Sequence, residues 1–144
     1  MNRKEFIKAI GITGAAIVVA PSYLMASSSK KELIRLTILH TNDMHSHIDP
    51  FPLNDPKYPG LGGIEKRAAL IRNIRATEEN VLLLDAGDVF QGTPYFNMYG
   101  GELEFKLMSK MGYDACTIGN HDFDNGLQGL KKMMPHANFP FINC

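Results

Sequence analysis

An α/β fold built on a mostly parallel sheet is the class this sequence predicts, on three observations. Short runs rich in Val, Leu and Ile alternate with segments of helical periodicity, as successive βαβ units require. Each apolar run stops at a turn-forming or acidic residue. Just beyond those stops lie Asp43-Met44-His45, Gly87-Asp88, and Gly119-Asn120-His121-Asp122 with Asp124, blocks whose Asp, His and Asn side chains can ligate metals or move protons. Loops leaving the carboxyl ends of parallel strands empty onto one edge of an open sheet, so residues distant in sequence meet there.

The chain opens differently from the rest. Arg3, Lys4 and Lys8 precede an apolar run from Ala9 to Ala20, then Pro21 and the small residues Ala26-Ser27-Ser28-Ser29, which is the charged, apolar and cleavage-site order of an export signal. The run is short for a bilayer span. Asn2-Arg3-Lys4-Glu5-Phe6-Ile7-Lys8 resembles a twin-arginine motif with lysine in the second arginine's place, so general secretion and twin-arginine export both stay open. No cysteine follows the run to carry a lipid. We therefore expect residues 1–28 to be an export signal, with a retained amphipathic or anchored helix as the alternative, and the protein to be periplasmic or on the cell surface of a bacterium.

Leu33 to His40 is apolar and β-branched and runs into the turn pair Asn42-Asp43, predicting a first strand. Asp49 to Gly63 follows, a surface loop holding four prolines and three glycines that would border a substrate cleft. From Ile64 to Arg75, the residues Ile64, Ala68, Leu70, Ile71 and Ile74 share one side of an amphipathic helix. Val81 to Leu84 is continuously apolar, as expected of a strand buried on both faces. Glu102 to Met111 predicts a second helix stopped by Gly112, Ala115 to Ile118 a short strand, and Leu127 to Met134 a third helix stopped by Pro135. Phe139 to Ile142 begins a fourth strand, cut short at Cys144.

Residues 29–144 make one modest domain with its own core. Over all 144 residues, 15 cations balance 15 anions, and removing the signal leaves the remainder about two units negative. That balance argues against a nucleic-acid surface. Cys116 in a strand and Cys144 at the end of the next could form a disulfide if the strands are neighbours, but two cysteines at this spacing match no zinc motif. Neither has a histidine or helix start beside it to make a nucleophile.

Phosphate esters resist anionic attack, and a hydrolase gains by placing divalent ions that neutralise the phosphoryl oxygens and generate hydroxide at neutral pH. Asp43 and His45 could give an oxygen and a nitrogen to one ion, and Asp88 could bridge two. Asn120 could offer an amide oxygen to the second ion. His121 would then be free to protonate the leaving oxygen, with Asp124, three residues on, fixing its tautomer. Asp122 should point away from His121, and Asp85 should support the turn. Taken singly, each block suits plain turn chemistry, and it is the ordered set that points to a metal. His40 reads as packed or hydrogen-bonded, His47 as lining the loop, His136 as remote from the blocks, and Met108, Met111, Met133 and Met134 as core filler.

The segments Ile38-Leu39-His40-Thr41-Asn42-Asp43-Met44-His45, Gly62-Gly63, Asp85 to Pro94, and Gly119-Asn120-His121-Asp122-Phe123-Asp124 closely resemble the 5′-nucleotidase family of calcineurin-like metallophosphoesterases. The resemblance runs from about Leu33 to Cys144. It implies a layered α/β/β/α sandwich, truncated here after the start of about the fourth strand, and two divalent metal ions (Mn, Zn, Fe or Co). It assigns Asp43 and His45 to the first metal, Asp88 to the bridge and Asn120 to the second metal. His121 and Asp124 become the catalytic dyad, and Asn120 and His121 contact substrate. The implied reaction is hydrolysis of nucleoside 5′-monophosphates or related nucleotides, a small-molecule substrate with no nucleic acid and no stable membrane anchor once the signal is removed. In that family further histidine ligands and a carboxyl-terminal nucleoside-binding domain come later, and both are absent from this sequence. The expectation is thus the amino-terminal part of a longer enzyme, with an inactive remnant that binds metal weakly as the alternative.

Overall fold

The run Val81–Asp85 forms the middle strand, β2, of a three-stranded parallel sheet. The structure is a computed structural model describing residues 33–143, so the expected export signal and the Cys116–Cys144 pairing lie outside the described residues. Within the unit Arg35–Cys144, β1 (Thr37–Thr41) leads through α1 (Ile64–Thr77) to β2. The helices α2 (Pro94–Tyr99) and α3 (Glu102–Met111) then precede β3 (Ala115–Cys116), and α4 (Gly126–Met133) follows it.

β1 pairs with β2 from Thr37 opposite Val81 to Thr41 opposite Asp85. The expected start of β1 at Leu33 is corrected to Thr37, because Val81 opens β2 and among the described residues no strand lies beside Leu33 to Leu36. β3 is also shorter than the expected Ala115 to Ile118, its two residues Ala115 and Cys116 lying opposite Leu84 and Asp85. The fourth strand is present as a single parallel bridge from Cys116 to Phe141.

The sheet has two unlike faces. Thr37, Leu39 and Thr41 turn to the side where Leu83 and Asp85 are buried, whereas Ile38 and His40 are exposed. Leu82 and Leu84 are only half-buried, so β2 is not the doubly covered strand its composition suggests: the helices pack on the Leu83 face. His40 is corrected accordingly from a packed to an exposed residue.

That buried face joins Ile71 of α1 and Phe105, Met108 and Met111 of α3 in one core with Phe90, Phe96, Met133 and Phe139. Ring centroids of Phe90 and Phe105 lie 4.7 Å apart, and those of Phe139 and Phe141 5.5 Å. Each fully buried ring contributes about 1.5–3 kcal/mol. Three of the four methionines expected as filler are buried, and Met134 packs against the core. α3 ends at Gly112 with φ 74, a left-handed cap, and Arg75 of α1 donates to the carbonyls of Met111 (2.9 Å) and Gly112 (2.6 Å). α2 is an addition to the sequence expectation, its six residues being too few to show a period, although Pro94 in its first turn is a start signal. α4 stops at Met133, one residue short of the expected end, and Pro135 lies inside a 3₁₀ turn over Met134–His136. Among the described residues no helix is long and apolar enough to cross a membrane.

Candidate metal centre

Beyond their carboxyl ends β1 and β2 stay paired. Asp43 N–H donates to the Gly87 carbonyl (3.0 Å), His45 N–H to Asp88 (3.1 Å) and Ser46 N–H to Val89 (2.9 Å). The two loops therefore run side by side and carry their side chains to the same place. Asp43, His45, Ser46, Asp88 and Gln91 all have positive φ, between 44° and 67°. Side-chain-bearing residues enter that region at a cost of about 1–2 kcal/mol each. Five of them in two adjoining loops mark a geometry kept for function.

In that geometry Asp43, His45 and Asp88 each offer a ligand atom within 4.8 Å of the others. His45 Nδ1 faces the Phe90 carbonyl at 3.3 Å. A carbonyl only accepts, so Nδ1 is the donor in this contact and Nε2, 3.8 Å from Asp43 Oδ1, is the ring nitrogen placed to ligate a metal. The Asn42 amide donates to the other Asp43 oxygen. Two carboxylates and a neutral imidazole nitrogen suit a divalent ion of the Mn, Fe, Co or Zn kind.

The third loop is locked to the second by Asp122. Its buried carboxylate accepts from the N–H groups of Asp88 (3.1 Å), Val89 (2.9 Å), Phe90 (3.0 Å) and Gly119 (2.8 Å). Burial still pushes this carboxyl above its usual range, with the four bonds opposing. Asp122 turns to these backbone groups while Asp124 partners His121, in line with the expectation that it diverges from His121, but its clamping role was missed because its donors are backbone N–H groups that carry no sequence signal. His121 N–H in turn donates to Asp88 Oδ1 (2.9 Å), orienting that ligand. Gly119 passes so close that a β-carbon there would stand 2.1 Å from Asp88 Oδ1.

His121 Nδ1 lies 3.0 Å from Asp124 Oδ2, so the two side chains read as a pair from their spacing are hydrogen-bonded. The bond to Asp124 holds the imidazole above its ordinary pKa. The rings of His121 and His45 meet edge to face at 5.2 Å between centroids, which places the dyad beside the ligand group. Asn120 stands next to His121 on the same loop, its side chain exposed and its carbonyl accepting from Phe123 N–H (3.2 Å).

Asp85 supports the turn, as expected. It accepts from the Thr41 hydroxyl and from Gly87 N–H (2.9 Å), and Thr41 lies 2.7 Å from the Tyr113 hydroxyl. Cys116, buried beside Asp85, has its thiol pKa driven far upward by burial, consistent with no nucleophilic role. His47 lies against Phe51 in the loop, and His136 is 3.8 Å from Glu102, away from the centre. A cleft of about 310 Å³ opens beside Asp43, bordered by His47, Asp49, Phe51 and Arg67.

Comparison with known proteins agrees with this geometry. Residues 36–144 match the family described as calcineurin-like phosphoesterase. A snake venom 5′-nucleotidase from Gloydius brevicauda is 44% identical over 132 residues, covering 89% of this chain and 22% of its own length. The 5′-nucleotidase precursor of Thermus thermophilus superposes with a TM-score of 0.68 at 40% identity, over 75% of this chain and 22% of that one. The NAD nucleotidase of Haemophilus influenzae does so at 0.67 and 34% identity, over 75% and 20%. The chain thus spans about a fifth of the length of the relatives it matches. On the parallel sheet, the strand-end ligand group and these likenesses together, the chain belongs to the 5′-nucleotidase family of calcineurin-like metallophosphoesterases.

Proposed function

We propose that this protein hydrolyses nucleotide phosphate esters, nucleoside 5′-monophosphates foremost, at a pair of divalent ions, after export from a bacterial cytoplasm. The observation that carries the proposal is the meeting of Asp43, His45 and Asp88 beside a histidine already oriented by its own carboxylate. Asp43 and His45 would hold one ion, with Asp88 serving as a shared ligand and Asn120 offering its amide oxygen to a second. Bound divalent ions would supply the positive charge that phosphoryl oxygens need and lower the pKa of a nucleophilic water. His121, bonded through Nδ1 to Asp124, has Nε2 left to meet the substrate and hands a proton to the departing nucleoside oxygen. Asp124 keeps that proton on the ring to higher pH.

The test is His121→Ala in the full-length gene product, followed by release of phosphate from AMP and by Mn²⁺ titration. We expect kcat to fall by about 10²–10⁴ with fold and Mn²⁺ affinity retained. Loss of folding or of metal instead would make the site structural. A second reading follows from the ligand count: the described group offers three His and Asp ligands, fewer than two ions need. The intact mass of the native protein separates the two. A value far above 16.0 kDa supports the hydrolase with further ligands, and a value near that of residues 29–144 withdraws the catalytic claim in favour of a weak metal binder.

A further inference from the structure

Glu104 sits in the first turn of α3 and is 2% exposed, yet neither carboxylate oxygen meets a donor among the described residues. The Ser46 hydroxyl, in a residue 1% exposed, has the same deficit. Both side chains line one small cavity, together with Met44, His47, Arg67 and Met108. The other buried carboxylates are not like this: Asp122 accepts four backbone bonds, and Asp85 is held by Thr41 and Gly87. The amino-terminal turn of a helix favours negative charge but does not replace a hydrogen bond. A carboxylate buried with no partner is strongly disfavoured.

The cavity resolves the deficit. It offers about 10 Å³ to the centre of a water molecule, room for one. Such a water needs two or more polar partners, and the Glu104 carboxylate and Ser46 hydroxyl are the two groups in want of one. Arg67 lines the same cavity, with its guanidinium donating to Met44 Sδ.

What this would hold in place is the metal-binding turn. Ser46 follows His45, and both are left-handed, with φ 54 and 44. The Ser46 backbone is already fixed on two sides, its N–H to Val89 (2.9 Å) and its carbonyl to the Thr93 hydroxyl (2.7 Å). Its side chain is the remaining point of attachment. We propose that Glu104 is a positioning residue for the metal centre: one buried water bridges its carboxylate to the Ser46 hydroxyl and keeps the His45–Ser46 turn in its left-handed form. The inference rests on Asp43, His45 and Asp88 holding a divalent ion.

The experiment is Mn²⁺ titration calorimetry on the full-length gene product and its Glu104→Leu, Glu104→Gln, Ser46→Ala and Glu104→Leu/Ser46→Ala variants, with circular dichroism on each. Glu104→Leu should weaken Mn²⁺ binding about tenfold or more with the spectrum unchanged. Glu104→Gln, which keeps an acceptor for the water, should bind close to the native level. The double variant should be no weaker than Glu104→Leu alone, since both changes remove the same bridge. Native affinity in Glu104→Leu, or losses that multiply, would overturn the proposal. Should Glu104→Leu not fold, Ser46→Ala decides: weakened binding supports the bridge and native binding overturns it. If the native protein binds no Mn²⁺, the metal reading fails on its own, and a high-resolution crystal structure tests the bridge separately. A water about 2.6–3.2 Å from both side chains supports it. A direct Glu104–Arg67 ion pair with no such water overturns it.

Discussion

Asp122 shows how much a single side chain can organise. Four backbone donors from two loops converge on its carboxylate, and among the described residues none has another acceptor. Asp122→Ala would strand them in a buried setting, where each unmade bond costs about 1–3 kcal/mol. We expect the variant to lose at least about 3 kcal/mol in urea unfolding, with Asp122→Asn, which keeps one acceptor oxygen, losing less. Equal and small losses in both would contradict the clamp. Asp85 makes a second prediction at this scale. Burial holds its carboxyl above the usual range, and the bonds from Thr41 and Gly87 offset only part of that. The folded chain therefore keeps this proton to higher pH than the unfolded one, so the group's contribution is best below about pH 4 and falls as pH rises through the folded pKa. Asp85→Asn has no such slope. Its stability relative to the native chain should rise across that window in urea midpoints, and a difference independent of pH would contradict the assignment.

At the scale of elements, the centre is a product of three strand-end loops that continue the sheet's pairing past its last residues. The third loop is held against the second with no room to spare: a β-carbon at Gly119 would meet Asp88 Oδ1 at 2.1 Å and Asp88 N at 2.4 Å. Both are parts of a ligand residue that cannot move without leaving the group. Gly119→Ala should consequently weaken Mn²⁺ binding about tenfold or more while the helices stay folded. Gly126→Ala is the matching control, because nothing lies within 4 Å of a β-carbon there. Its positive φ of 71° makes it cost stability alone, about 1 kcal/mol, with Mn²⁺ affinity kept. Similar metal affinities in the two variants would show that the Gly119 contact does not set the site.

For the whole molecule, the parts legible in the sequence were those governed by local rules. Period and a terminating glycine placed α1 and α3 to within two residues, and the Asp43, His45, Asp88 and His121–Asp124 blocks came together because parallel strands deliver their ends to one edge. What was not legible depended on partners. Leu33 to Leu36 have the composition of a strand but no strand beside them among the described residues, and Leu82 and Leu84 look like core but face away from the helices. The clamp at Asp122 and the Phe90 carbonyl that fixes His45 act through backbone groups, which sequence spacing does not mark. The central claim, that these loops form a divalent-metal site, is tested most directly by anomalous diffraction from Mn²⁺-loaded crystals of the native protein. A manganese peak is expected in coordinating contact with the Asp43 carboxylate, His45 Nε2 and the Asp88 carboxylate. Saturating Mn²⁺ with no peak among those three residues would contradict it.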